Sequence, residues 1–368
     1  MNSKIIIGAD LVPTHYSNEK DFIAGDAEKL VGKELKEILD SAAYRIANLE
    51  VPFTREETPL AKSGPCLIAN PDTINGYKAL KIDLLALANN HSMDQGKQGF
   101  LSTLKTIDDA GIARVGGGLT QEEAAKPYIF EVCGKKIGVY ACAEHEYGWA
   151  RDYGMGGNGF EPLDSLDEIA DLKKQVDYCI VLYHGGREHY RYPTPRLQKV
   201  CRKIVEKGAD LVMCQHTHCV GAGEEYKGGT IVYGMGNFLF DFVRCEWWEN
   251  SILVSVDVAD DFKVEFIPIE QYENAYIRLS KNKEILDGYY RRSEEIKDPA
   301  FVQKEFHELA MGMQKWYYYD NVFKNIMVPT AVSGPYRKPI ENCIRCEVHR
   351  EMILESLRED TQEPMKIQ

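Results

Sequence analysis

The chain has 368 residues, 44% of them hydrophobic and 27% charged, with a formal net charge of −13. This is ordinary for a globular protein with a sizeable buried core, and it excludes disorder as the default. The acidic balance argues against a broad hold on long nucleic acid or on an anionic membrane surface, and no run is apolar enough for a membrane span.

In chain order, the first residues carry one lysine and a three-isoleucine run that turns polar at Asp10, short of a signal-peptide core. Buried-strand runs are expected at 5–7, 44–49, 84–88, 128–132, 136–141, 178–183, 211–214, 230–233 and 251–258. Helical periodicity falls at 28–41, 96–110, 166–174 and 194–207. Alternation of this kind predicts an α/β fold. The ten cysteines lie mostly in apolar runs without a disulfide-like framework, which favours free thiols and a cytoplasmic setting. After residue 273 the character changes to charged and aromatic residues at helical spacing, through 284–296, 299–323 and 342–357. The expected division is therefore a main domain at 1–273 and a helical extension at 274–368 packing on it, with 329–339 as a candidate linker and a frayed tail after Glu359.

Five strand runs end at possible metal ligands: Asp10, Glu50, Asn90 with His91, His184, and His216 with His218. Ligand sites in α/β sheets lie beyond the carboxyl ends of strands, so these ends are able to converge. Two carboxylates, an amide and three imidazoles make a mixed donor set suited to Mn, Fe, Zn or Mg rather than a thiolate cage. Each residue has an ordinary alternative. Asp10 caps a turn as readily as it binds metal, and a lone histidine after a strand is more often structural. Glu50 is harder to dismiss, because an unpaired carboxylate at the end of an apolar strand is costly to bury.

The motifs make a resemblance plain. Residues 88–96 (Ala-Asn-Asn-His-Ser-Met-Asp-Gln-Gly) resemble the Asn-Asn-His-x-x-Asp-x-Gly motif of the bacterial capsule synthesis CapA, or poly-gamma-glutamate capsule, family within the calcineurin-like metallophosphoesterase superfamily. Gly8-Ala9-Asp10, Asn48-Leu49-Glu50, His184-Gly185-Gly186 with Glu188 and Tyr190, 215–218, and 233–238 with Phe240 and Asp241 match further family motifs in order, over about residues 4–245. The resemblance implies a four-layer αββα sandwich with a C-terminal helical appendage and one or two divalent metal ions. Glu50 would bridge them. Asp10 and His218 would complete one site, and Asn90, His184 and His216 the other. His91 would face the substrate, oriented by Asp94, with a metal-held hydroxide as nucleophile.

Three departures stand out. Val12 replaces a histidine common in the superfamily, leaving one site a ligand short unless His15 substitutes. Gly185 and Gly186 replace a bulky tryptophan, which is expected to open the pocket. Arg187 and Glu188 are candidates for the substrate region, and Asn237 and Asp241 for support of the metal loop. Gly116 to Gly118 lack a P-loop lysine. Cys343, Cys346 and His349 resemble half a zinc site, but with no second pair nearby ordinary helical spacing is the expected reading. Trp247, Trp248, Trp316 and Tyr317 to Tyr319 are candidates to line a binding face, with packing against the core the expected reading.

The leading function is a metal-dependent hydrolase acting on an anionic ester or a glutamyl amide, on a small anionic or polymeric substrate. The rival is a non-catalytic accessory or polymer-binding subunit of a capsule synthesis complex. A nuclease or cyclic-nucleotide phosphodiesterase is disfavoured for long nucleic acids by the acidic balance.

Overall fold

The computed structural model describes residues 2–243, 245–273, 276–314, 318 and 337–358. Trp316, Tyr317, Tyr319, the expected linker up to residue 336 and the tail from Glu359 lie outside them.

Two mixed sheets face each other. The first runs in the order Tyr276–Leu279, Lys263–Tyr272, Asn250–Asp257, Lys4–Val12, Tyr44–Asn48, Leu84–Ala86, Ala113–Val115, and Asn237–Phe240 pairs with the far half of Lys4–Val12. The second runs Gly223–Tyr226, Gly229–Val232, Leu211–Gln215, Tyr178–His184, Lys135–Ala143, Tyr128–Val132. The central strands of both sheets are parallel and buried on both faces, which is why they read as continuous apolar runs.

Side-chain alternation builds the layers. Ile5, Ile7 and Ala9 point into a core shared with Ile137, Ile180 and Leu211 of the other sheet. Ile6 and Leu11 point outward to helix residues such as Leu30, Leu35 and Phe100. The second sheet likewise turns Val181 and Val212 toward Ile169 and Ile204 on its covering helices. Helix, sheet, sheet, helix is therefore the observed stacking, as expected.

The structure departs from the expected elements at several points. The helix expected over 28–41 is two, Ala27–Val31 and Lys33–Ser41, broken at Gly32 with φ +70°. The main body continues past 273: Tyr276–Leu279 adds an edge strand to the first sheet, and helix Glu284–Glu295 packs through Ile285 and Tyr289 into the core between the sheets. The remaining C-terminal helices, Pro299–Met313, Arg337–Arg345 and Glu347–Ser356, form their own apolar cluster around Phe306, Tyr318 and Met352. Of the glycine run, Gly117–Gly118 pairs with Gly156–Gly157 as a two-residue strand. Among the described residues no helix is long and apolar enough to cross a membrane.

Candidate metal centre

Strand register gathers the site. Asp10 is paired with Asn48 on one side and Asn237 on the other, and His184 stands opposite Gln215 in the second sheet. Glu50, His216 and His218 follow these strands by one to three residues, so both sheets deliver their donors to one end of the sandwich. His216 and His218 adopt φ +87° and +53°. Backbone strain of this kind in a non-glycine residue persists only where the surroundings impose it.

Six expected ligands meet here. His184 Nε2 lies 3.2 Å from Glu50 Oε1 and 3.0 Å from Asn90 Oδ1. Its Nδ1 is 3.9 Å from Asp10 Oδ1, and His218 Nδ1 is 3.4 Å from Asp10 Oδ2. Two sets of donors could each hold an ion, Asp10–Glu50–His184 and Glu50–His216–His218, their atoms within 4.8 Å of one another. Glu50 belongs to both, as a bridging ligand must. The division expected by analogy has contacts of its own, since His218 Nδ1 lies 3.4 Å from Asp10 Oδ2 and His184 Nε2 3.0 Å from Asn90 Oδ1.

The decisive residue is Glu50. It is 0% exposed, and among the described residues neither carboxylate oxygen has a hydrogen-bond partner. Burial, and next the Asp10 charge, push its carboxyl well above the usual range. Burial would also raise Asp10, but hydrogen bonding to His218 and the charges of His184 and His218 outweigh it and hold the carboxyl low. Burial lowers His184 and His216 to about 4, so both imidazoles are neutral at neutral pH, the state a ligand requires. Burial would lower His218 too, yet Glu50 and Asp10 outweigh it and raise its pKa. In the metal-free site the Asp10 carboxylate thus faces a protonated His218, and a cation held there would displace that proton.

Supporting groups fix the donors. Asn48 Nδ2 donates to Asp10 Oδ1 at 2.8 Å, and Asn237 Oδ1 is 2.8 Å from His218 Nδ1. Asn90 Nδ2 donates to Glu146 Oε2 at 2.7 Å, which turns its Oδ1 toward His184. The Trp248 ring packs on His218 with centroids 4.4 Å apart. Asp241 is buried and accepts from Gln271 at 3.4 Å.

Beside the metal donors, His91 Nδ1 lies 2.6 Å from Asp94 Oδ2. Leu67 N donates to the same oxygen, while Lys62 Nζ pairs with Asp94 Oδ1 and sits 3.2 Å from His91 Nδ1. Burial would raise Asp94, but His91 and Lys62 outweigh it and lower its pKa. A cavity of about 180 Å³ opens against this group, lined by Lys62, Asn90, His91, Glu146, Arg187 and Glu188 together with Asn342 and His349. Burial would also raise Glu188, yet His216, His218 and Arg187 pull it down to about 2.

Residues 10–242, well over half of the chain, match the sequence profile described as bacterial capsule synthesis protein PGA_cap. The chain belongs to that family. The capsule biosynthesis protein CapA of Bacillus anthracis is 26% identical over 275 residues, 67% of this chain and 66% of that protein. The PGA biosynthesis protein CapA of Bacillus subtilis is 28% identical over 218 residues, 55% of each chain. The chain thus spans less than two thirds of the length of these curated relatives. A putative 5'-nucleotidase from Staphylococcus aureus overlays with a TM-score of 0.46 at 12% identity, covering 77% of this chain and 56% of that one.

Within this capsule-synthesis fold, Val12 is a buried sheet residue opposite Phe240, so its position supplies no ligand. His15 is exposed and packs edge-on against Tyr16, 5.1 Å between ring centroids. Gly185 does not open the pocket. A Cβ there would meet Glu144 Cγ at 2.7 Å and Tyr183 Cε1 at 2.8 Å, so the space is already filled from within. Lys62, Glu146 and Asn342 escaped the sequence reading. Lys62 sits in a Ser-Gly-Pro loop where only tertiary packing buries its amine, and the other two carry no motif.

Proposed function

We propose that this chain is a metal-dependent hydrolase acting on an anionic ester or a γ-glutamyl amide in the metabolism of a capsule or poly-gamma-glutamate polymer. The observation that carries the reading is Glu50, fully buried, without a hydrogen bond among the described residues, and common to two donor sets. Oxygen and imidazole donors with no thiolate suit Mn, Fe, Zn or Mg. Such ions, when bound, supply Lewis acidity and an activated water.

The chain's own residues supply the rest. Asn48 and Asn237 hold Asp10 and His218 in orientation. Asp94 accepts from His91 Nδ1–H, leaving Nε2 as the atom that protonates a leaving group. Arg187 on the cavity wall attracts a phosphate or carboxylate despite the acidic average of the chain, while Lys62 is held by Asp94. At about 180 Å³ the cavity admits one such group rather than a bulky ligand. A polymer would therefore enter by a chain end. The names of the Bacillus relatives, which speak of capsule and PGA biosynthesis, support a polymer of this kind.

The second reading, a polymer-binding accessory protein, is favoured by Val12 in place of a ligand and by a Mycobacterium tuberculosis relative described as a probable polyglutamine synthesis accessory protein. Turnover of an aryl phosphomonoester, an aryl phosphodiester and a γ-glutamyl anilide with Mn, Zn or Mg separates the two. The hydrolase reading requires metal-dependent cleavage of at least one, cut by about 10²–10⁴-fold in His91→Ala with metal content unchanged. Full metal loading with no cleavage of any of the three would leave the accessory reading.

A further inference from the structure

Cys346 precedes helix Glu347–Ser356 and His349 lies in its first turn, while Glu146 lies just past strand Lys135–Ala143, 200 residues earlier than Cys346. The fold brings the three together. Glu146 Oε1 is 3.9 Å from Cys346 Sγ and 4.0 Å from His349 Nε2, and all three donor atoms lie within 4.8 Å of one another. Glu146 Oε1 is also 4.0 Å from His216 Nε2. We propose that Glu146, Cys346 and His349 form a further zinc site, adjoining the one around Glu50, that fastens the C-terminal helices over the cavity.

The chemistry selects the ion. A thiolate, an imidazole and a carboxylate are a zinc set, whereas hard-oxygen ions such as Mg avoid sulfur. Tetrahedral bonds of about 2.0–2.3 Å place ligand atoms roughly 3.3–3.8 Å apart, so the two contacts of Glu146 Oε1 close on zinc with a contraction of about half an ångström. His349 Nδ1 is 3.0 Å from the Tyr318 hydroxyl. With that nitrogen donating, Nε2 presents its lone pair toward Glu146, the outer-partner arrangement typical of metal-bound histidines. Cys346 is fully buried and its thiol points at Glu146 Oε1, so zinc binding replaces that thiol proton, which leaves to solvent.

A fourth donor is at hand. Asn342, one helical turn before Cys346, lines the same cavity as Glu146 and His349, and its buried Oδ1 has no hydrogen-bond partner among the described residues. That oxygen, or a water from the cavity, completes the coordination. Cys343 stays outside the group and packs in the apolar cluster near Phe306. Because Glu146 Oε2 also accepts from Asn90 Nδ2, zinc on Oε1 would fix the orientation of Asn90 at the neighbouring centre. The site itself does not depend on the hydrolase reading.

Cobalt(II) distinguishes the two centres, since only this one offers sulfur. Titration of the full metal-free chain with cobalt is expected to produce a thiolate-to-cobalt charge-transfer band that saturates at the amplitude of one thiolate-bound cobalt per chain. The band should vanish in Cys346→Ser, weaken at least about tenfold in cobalt affinity in His349→Gln and Glu146→Gln, and survive in Glu50→Gln, where the neighbouring centre is disabled. No band in the wild type at saturating cobalt would overturn the proposal by itself. So would a band undiminished in Cys346→Ser or, should that variant not fold, one insensitive to both glutamine substitutions.

Discussion

At the residue scale the account turns on Glu50. Its folded pKa stands above the unfolded value near 4.3. The folded state therefore binds the proton more tightly than the unfolded one. Any stability this confers is complete below about pH 4.3 and is lost as pH rises through the folded value. In chelator, Glu50→Gln is thus expected to be more stable than the wild type at pH 7, on the order of 1–3 kcal/mol, with the gap shrinking toward pH 4. With metal added the order should reverse; paired denaturation curves check both signs. Asp94 makes a different prediction, because it touches His91 rather than the metal donors. Asp94→Asn should lower kcat by roughly 10²-fold while leaving metal content intact, measured by turnover beside elemental analysis. The donors were readable in the sequence because each follows a buried strand. Lys62 was not, since nothing local to its loop announces that Asp94 and His91 enclose it.

At the element scale, positions of close approach decide how accurately the donors are held. A Cβ on Gly8 would lie 2.5 Å from the Phe238 ring, two residues from Asp10. Gly8→Ala should cost about 1–3 kcal/mol by forcing the strand off Phe238, and should weaken metal binding with it, read by thermal melts and metal titration. The last helix docks through Glu347, which accepts from His145 N at 2.8 Å and pairs with its Nδ1 at 2.7 Å. Glu347→Gln should speed amide hydrogen exchange across 337–356 while the central strands stay protected, as expected of a locally detached unit. The central strands were legible as apolar runs. The strand Lys263–Tyr272 was not, because its half-buried residues interleave charges that read as loop, and Asn237–Phe240 lay hidden within a glycine-rich motif.

At the scale of the whole molecule, two sheets packed face to face bring their strand ends together at one end of the sandwich, and the C-terminal helices cover the opening, contributing Asn342 and His349 to the cavity. The sandwich was legible because alternating strands and amphipathic helices admit few layered arrangements. The cover was not, since Cys346 and His349 acquire meaning only beside Glu146, and separations of that length leave no local pattern. The central claim is a metal centre bridged by Glu50. A crystal of the metal-loaded chain, measured at the absorption edge of the bound ion, tests it most directly. An anomalous peak is expected within bonding distance of Glu50 and of donors from both sheets, among them Asp10 and His184 or His216 and His218. Metal-loaded crystals with no peak at Glu50 would contradict it.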